Sequence, residues 1–433
     1  MAVAATRWVP RALRRAWTDN PLPLDLAFYL ACAGYALIVA LTNEFYGFRI
    51  WGNFAVAGYG LAAAHSGWLL LRARAGRAAT GWWQSRWAGV AAAFVIGMVV
   101  PLGVLVVRRL TGVDWLITPW SWSAQPEVWV IERSGDLLLE RGTPYVDVTA
   151  LGRPPEVNDY TPYGPVMSLF GLPRALFGGT PVNDALTDAR LMFALVACAC
   201  VLIALKLLGR PKVPVRAAQL AVVFPMTAYN WATQGPDLAI VGLIIVGIVL
   251  AARDRPVAAA ILLALVSSAK LTAAIATPVP AMLVLARLGK RGLARFVTAW
   301  LAMCALLNVP VLLVDPKSFL EHLLWFPAGM GVVTSPAASP LPGHLIASTG
   351  TVGKVASFAL LGAAAIAILV WLVRRPPTTA SDAMLRTAIG LGAFTLLTPA
   401  TRYGYLVYPL VLLGAMLGCR SAEAERDEFV TSS

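Results

Sequence analysis

Along most of this chain the apolar positions are continuous rather than alternating. Runs of about 17–22 apolar residues follow one another, the length a helix needs to cross a bilayer core. They predict about twelve membrane-spanning helices, at 22–43, 51–71, 88–108, 188–208, 214–231, 236–252, 256–269, 272–287, 293–314, 353–373, 384–399 and 403–418. A β-barrel would alternate residue by residue, so the expected fold is an all-α polytopic membrane protein. The stretch 256–287, about 32 residues, is too long for one ordinary span and short for two. Split into two short helices, it places Lys270 at the turn between them.

Two polar interruptions are long, 109–187 and 315–352. In the first, Gln125-Pro126-Glu127 starts a helix, and Gly142 followed by Pro144 stops it. Val128, Ile131, Leu138 and Leu139 form an apolar stripe, and Glu132, Asp136 and Glu140 form an acidic stripe expected to face water. This describes an amphipathic helix lying in the membrane interface. The turn Asn158-Asp159-Tyr160-Thr161-Pro162-Tyr163-Gly164-Pro165 then leads into an apolar run to Phe177, a second interfacial helix. The other long loop has a similar amphipathic piece at Phe319–Phe326, then Pro/Ser/Gly-rich chain containing His344.

Composition agrees with the pattern. At 58% hydrophobic and 13% charged, the chain cannot cover a soluble domain of its length with polar surface. The net charge of +13 invites a nucleic-acid partner, but its distribution argues against one. Arg72, Arg74, Arg77 and Arg86, then Lys206, Arg210, Lys212 and Arg216, then Arg253 and Arg255 fall in short loops of one side. Arg287, Lys290, Arg291 and Arg295, then Arg374, Arg375 and Arg386, continue the series, and Arg7, Arg11, Arg14 and Arg15 precede the first span. The positive-inside rule therefore puts both termini in the cytoplasm of a multi-pass plasma-membrane protein and the long acidic loop outside. Arg108 and Arg109 depart from the rule, as snorkelling anchors or contacts to lipid phosphate. Residues 419–433 are expected to be a disordered tail, 1–87 an N-terminal segment with two spans, and 88–418 the core.

Within this frame a few polar residues stand out. Glu127 lies on the helix side of Ile131, Ser134 and Leu138, away from the acidic stripe; it is either a working carboxylate or an acid favoured by a helix N-terminus. Asp114, just beyond the third span, is the runner-up carboxylate. Gln234 and Asp237 open the sixth span and face the same outer side as the long loop. Lys270, in an apolar stretch, either works or snorkels. Arg402, at an outer turn, either binds a phosphate or anchors a helix end. His344 falls on that side too; His65 reads as a hydrogen-bonded packing residue, and His322 is ambiguous. A carboxylate can take a proton from an attacking hydroxyl, and cations can hold a departing phosphate. No metal-ligand spacing, disulfide framework, P-loop, dinucleotide fingerprint, HExxH or GxSxG is present, so no cofactor or metal is expected.

Six short segments carry a family resemblance: Gln125–Tyr145, Asp159–Phe170, Gln234–Ala239, Ser268–Thr272, Ser339–Ser348 and Thr398–Tyr405. Through them the chain resembles the GT-C glycosyltransferases, most closely the polyprenyl-phosphomannose-dependent mannosyltransferases of glycosyltransferase family 87, from about residue 85 onward, with two extra spans ahead. The resemblance implies an inverting transfer of a sugar, mannose first, from a polyprenyl-phosphate donor to a lipid or cell-envelope glycan acceptor. Where the family usually has an Asp in the first large outer loop, this chain has Glu127, the implied general base. Lys270, Arg402 and His344 are the implied phosphate ligands, and Gln234, Asp237, Tyr160 and Tyr163 line the implied substrate cavity. Two other readings share these features: a transporter or flippase of a lipid-linked sugar, and a non-catalytic assembly protein of the cell envelope.

Overall fold

The computed structural model describes residues 20–77, 80–111 and 122–432. Asp114 and the N-terminal Arg7, Arg11, Arg14 and Arg15 lie outside the described residues. The helices in chain order are α1 (Leu22–Thr42), α2 (Tyr46–Arg74), α3 (Arg86–Thr111), α4 (Pro126–Arg141), α5 (Leu172–Phe177), α6 (Pro181–Leu186), α7 (Ala189–Leu208) and α8 (Val215–Ala221). They continue with α9 (Pro225–Thr233), α10 (Pro236–Ala252), α11 (Pro256–Ala269), α12 (Pro278–Val314), α13 (Pro316–Leu320), α14 (Pro342–Ala347), α15 (Thr351–Arg374), α16 (Ala380–Leu397) and α17 (Val407–Ser432). No strand occurs among the described residues; an isolated bridge pairs Ala338 with Thr401.

The chain divides into two compact units. The first takes the chain up to Val106 together with Val222–Thr233. Here α1 and α2 run side by side, and α9 packs on both. Buried Asp25 pairs with Arg86 at 2.5 Å, the Tyr59 hydroxyl donates to the Val223 carbonyl at 2.7 Å, and His65 lies 2.7 Å from the Trp83 carbonyl. His65 is thus the packing residue the sequence suggested.

The second unit takes Ala124–Ala221 and everything from Gln234 onward, with residues 107–111. Its centre is α10, which is apolar all round and buried on nearly every face by α7, α11, α12, α16 and α17. The helices around it turn apolar side chains outward: Val352 is 85% exposed and Val373 66% exposed, both on α15. Such surface is unfavourable in water and ordinary against lipid tails. Among the described residues seven helical runs are long and apolar enough to cross a bilayer, and the chain is a multi-pass membrane protein.

Several expectations need correcting. The segment 214–231 breaks into α8 and α9 around Pro225, and α11 is only 14 residues long. The expected spans 272–287 and 293–314 are present as two helices that part at Gly289 (φ 67°), together labelled α12; the first starts later than expected, at Pro278, because Leu271–Ala276 is a tight turn. Residues 419–433, expected to be disordered, continue α17 to Ser432, because Ser421, Glu425 and Arg426 hydrogen-bond to Lys212 and Leu208.

The largest correction concerns α4. Its ends are as expected: Pro126 fills the first turn, and Gly142 closes the helix at a φ of 71°, where a side chain would be strained. Its acidic stripe is solvated only in part: Asp136 and Glu140 are exposed, and Glu132 is not. Glu132 is only 2% exposed and accepts from Arg109 at 2.9 and 3.0 Å and from the Ala189 backbone N–H at 3.0 Å. Arg109 also reaches Asp188 at 2.6 Å, which Arg190 grips at 2.7 Å, so Arg109 is no lipid anchor. This buried network bolts α4 to the start of α7. Glu132→Ala would leave Arg109 and the Ala189 N–H buried without that acceptor. The expected cost is about 3–5 kcal/mol, against roughly 0.5 or less for exposed Leu139→Ala. Thermal unfolding of the two variants in detergent checks this; equal midpoints would remove the network from the stability of the fold.

Candidate functional site

In the second unit the six short segments interlock. The turn at Tyr163-Gly164-Pro165 lies on the end of α11: the Gly164 N–H donates to the Ala269 carbonyl at 2.9 Å. A side chain on Gly164 would run into the Ser268 carbonyl, so only glycine allows this approach. The chain leaves α11 at Lys270 in an extended conformation, before a tight turn at Leu271–Ala276. That break aims Lys270 at α10, whose first turn carries Asp237 after Gly235 (φ 82°) and Pro236.

Lys270 and Asp237 form a buried ion pair at 2.5 Å. The Tyr408 hydroxyl donates to the same carboxylate oxygen at 2.7 Å. The Lys270 ammonium also sits over three tyrosine rings, 4.4 Å from the Tyr405 centroid, 5.6 Å from Tyr408 and 6.0 Å from Tyr163. Ring faces attract a cation, so the cage and the carboxylate together offset the cost of burying it.

Beside this pair is a second one. Arg402 donates to Glu127 Oε1, with side-chain exposures of 32% and 19%. The other carboxylate oxygen of Glu127, Oε2, is buried and has no hydrogen-bond partner among the described residues. Tyr163 links the two pairs electrostatically. Burial, then the Glu127 carboxylate, then Tyr405 and Asp237 push its phenol well above the ordinary value, so it stays neutral. Glu127 in turn raises Arg402 above its ordinary value, so that guanidinium stays charged.

The remaining segments hold these groups in place. Gln234 donates to Gln125 at 2.5 Å, tying the residue before α4 to the one before Gly235. Thr401 pairs its backbone with Ala337 and Ser339, and the Tyr403 N–H donates to the Ser339 hydroxyl at 3.0 Å. His344 Nδ1 lies 2.9 Å from the Pro399 carbonyl. His344 therefore braces the turn that carries Arg402, and among the described residues it has no hydrogen bond to Glu127 or Lys270. Tyr160 also lies elsewhere: it stacks on Phe326 with centroids 4.0 Å apart and donates to Glu321 at 2.8 Å.

Of the residues named from sequence, Glu127, Arg402, Asp237, Lys270 and Tyr163 come together, and Gln234 supports them. Asp114 lies outside the described residues. Sequence reasoning missed Tyr405 and Tyr408. Their spacing of three from each other and from Arg402 was the available signal, since residues three apart share a helix face.

His322 is the hub of the neighbouring loop. Its Nδ1 accepts from the Thr161 backbone N–H at 2.8 Å, and its Nε2 lies 2.8 Å from the Val146 carbonyl, which fixes the neutral Nε2–H form. Burial pushes its pKa down to about 4, with the Arg133 guanidinium lowering it and Glu321 and Asp315 raising it. An unfolded histidine titrates near about 6.5, so the unfolded chain binds more protons between those values. Stability from this site is fully present above about pH 6.5 and is lost as pH falls toward about 4. Unfolding midpoints across that range should fall more steeply for wild type than for His322→Gln; parallel curves would contradict the assignment.

A sequence model of Glycosyltransferase family 87 matches residues 160–399, more than half of the chain. That range includes Tyr163, Gln234, Asp237, Lys270 and His344 and stops short of Glu127 and Arg402 on either side. No curated protein matches. Among solved structures, the chain is similar to ArnT from Cupriavidus metallidurans bound to undecaprenyl phosphate, at 17% identity and a TM-score of 0.44, over 79% of this chain and 64% of that one. It is likewise similar to the apo state of that protein, at 19% identity and a TM-score of 0.43, over 77% and 60%. The chain thus spans less than two thirds of the length of these structures.

Proposed function

The chain belongs to glycosyltransferase family 87, and from that premise we propose that it moves a sugar, mannose first, from a polyprenyl phosphate to a hydroxyl of a lipid or cell-envelope glycan. What supports this above all is the pairing of Glu127 with Arg402 beside Lys270 and Asp237. A base for the acceptor and cations for a leaving phosphate lie in one cluster. We place that cluster on the outer side and both termini in the cytoplasm, because the short basic loops obey the positive-inside rule. Residues 1–87 are then a two-span addition to a core of 88–418.

The proposed reaction is a single inverting displacement. Glu127 takes the proton of the acceptor hydroxyl as its oxygen bonds to the anomeric carbon. The bond from that carbon to the phosphate oxygen breaks, and the polyprenyl phosphate leaves with the electron pair. Arg402 meets the phosphate directly, and Lys270, held by Asp237 and its tyrosine cage, adds positive potential. Gln234 and His344 act as positioning residues: one steadies the start of α4, the other the turn of Arg402. Tyr163 offers a neutral phenol to the sugar, and Tyr160 shapes the loop on which Tyr163 sits.

The test is transfer of radiolabelled mannose from polyprenyl-phosphate mannose in membranes containing wild type or Glu127→Gln. The variant is expected to lose about 10²–10⁴-fold in turnover while still binding donor. Turnover kept by the variant would move the base to Asp237 or Asp114. If the wild type itself transferred none, the mannose assignment would fall, and arabinose and glucose donors would be tried.

A further inference from the structure

We propose that Arg402 serves two anions in turn: it neutralises Glu127 in the empty enzyme and leaves it for the donor phosphate, so that Glu127 becomes a free base only once donor is seated. This rests on the reading of Glu127 as base and of the donor as a lipid phosphate.

The observations are these. Arg402 is bonded to Glu127, so the guanidinium occupies Oε1, one of the two oxygens that could take a proton. Arg402 is the more accessible cation, with its side chain 32% exposed against 9% for Lys270. Lys270 is already committed to Asp237 and its aromatic cage. An incoming phosphate therefore meets Arg402 first, and among the described residues Glu127 is the hydrogen-bond partner it must displace. The backbone pairing of Thr401 with Ala337 and Ser339 fixes the base of the Arg402 side chain, so the exchange needs only a swing of the side chain.

The charges balance through the reaction. In the empty site Glu127 and Asp237 match Arg402 and Lys270. A phosphodiester donor adds one negative charge. On transfer, Glu127 is neutralised by the acceptor proton while the leaving phosphate gains about one charge as it becomes a monoester. The guanidinium is then where the new charge appears. Donor would therefore bind before acceptor is activated, which guards against idle chemistry on an empty site.

The experiment measures undecaprenyl phosphate binding to the full chain in nanodiscs. Glu127→Gln removes the competitor, so it should bind this lipid roughly three- to tenfold more tightly than wild type. Arg402→Gln should bind it more weakly, and adding Glu127→Gln to that variant should give no gain, because the two effects share one pair. Glu127→Ala should repeat the gain, which separates it from any folding defect of one variant. Equal affinity of Glu127→Gln and wild type, or a gain that survives without Arg402, would overturn the exchange. Turnover judges the other reading separately. If Glu127→Gln loses transfer yet binds no tighter, the base stands and the exchange falls; if it keeps transfer, the base reading falls.

Discussion

The site is organised around one buried charge. Lys270 ends a short helix in apolar surroundings, where an unpaired ammonium would cost several kcal/mol. Asp237 and Tyr408 make that position tolerable, and in doing so they fix much else. Asp237 must open α10, which requires the turn at Gly235 and Pro236. Tyr405 and Tyr408 must stand at the start of α17, which brings Arg402 to the same place. Gly164 must be glycine so that the loop bearing Tyr163 can close over the end of α11. Fixing this one cation thus arranges residues from four distant parts of the chain.

The long loop is fastened by a second buried network, Glu132 with Arg109 and Asp188. Glu132 and Glu127 share α4, five positions apart, and face different tasks. One carboxylate is fully spent on structure, with backbone and guanidinium partners on both oxygens. The other keeps an oxygen without a hydrogen-bond partner among the described residues and has a cation that is partly exposed. On the proposed reading, a helix that presents a reactive side chain to a mobile lipid gains from being held rigidly at the next turn.

Much of this was legible in the chain. The all-helical membrane fold followed from the length of the apolar runs, and the start and stop of α4 from Pro126 and Gly142. The break at Lys270 followed from a stretch too long for one span and too short for two. Charge placed Glu127, Asp237, Lys270 and Arg402 on one side before any contact was known. The partners were not legible, because Lys270 and Asp237 sit on different helices and nothing local couples them. Glu132 was misread for a related reason. Spacing by four says which residues share a face of α4, but only the packing of α7 and Arg109 decides that Glu132 is covered while Asp136 and Glu140 stay exposed. Tyr160 and Tyr163 could not be told apart, because the two-residue turn between them does not show which way each ring points: Tyr163 faces Lys270, and Tyr160 stacks on Phe326. The exact number of spans was not legible, since a short apolar segment such as 214–231 passes a composition test and yet folds as two helices, one ending at Ala221 and one starting at Pro225.

The most direct measurement is a cryo-EM structure of the full chain in nanodiscs with undecaprenyl phosphate bound. The expected result is a phosphate against Arg402 within reach of Lys270, with Glu127 released and open toward the space where an acceptor hydroxyl would lie. A phosphate bound elsewhere, with the Glu127–Arg402 pair intact, would contradict the central claim.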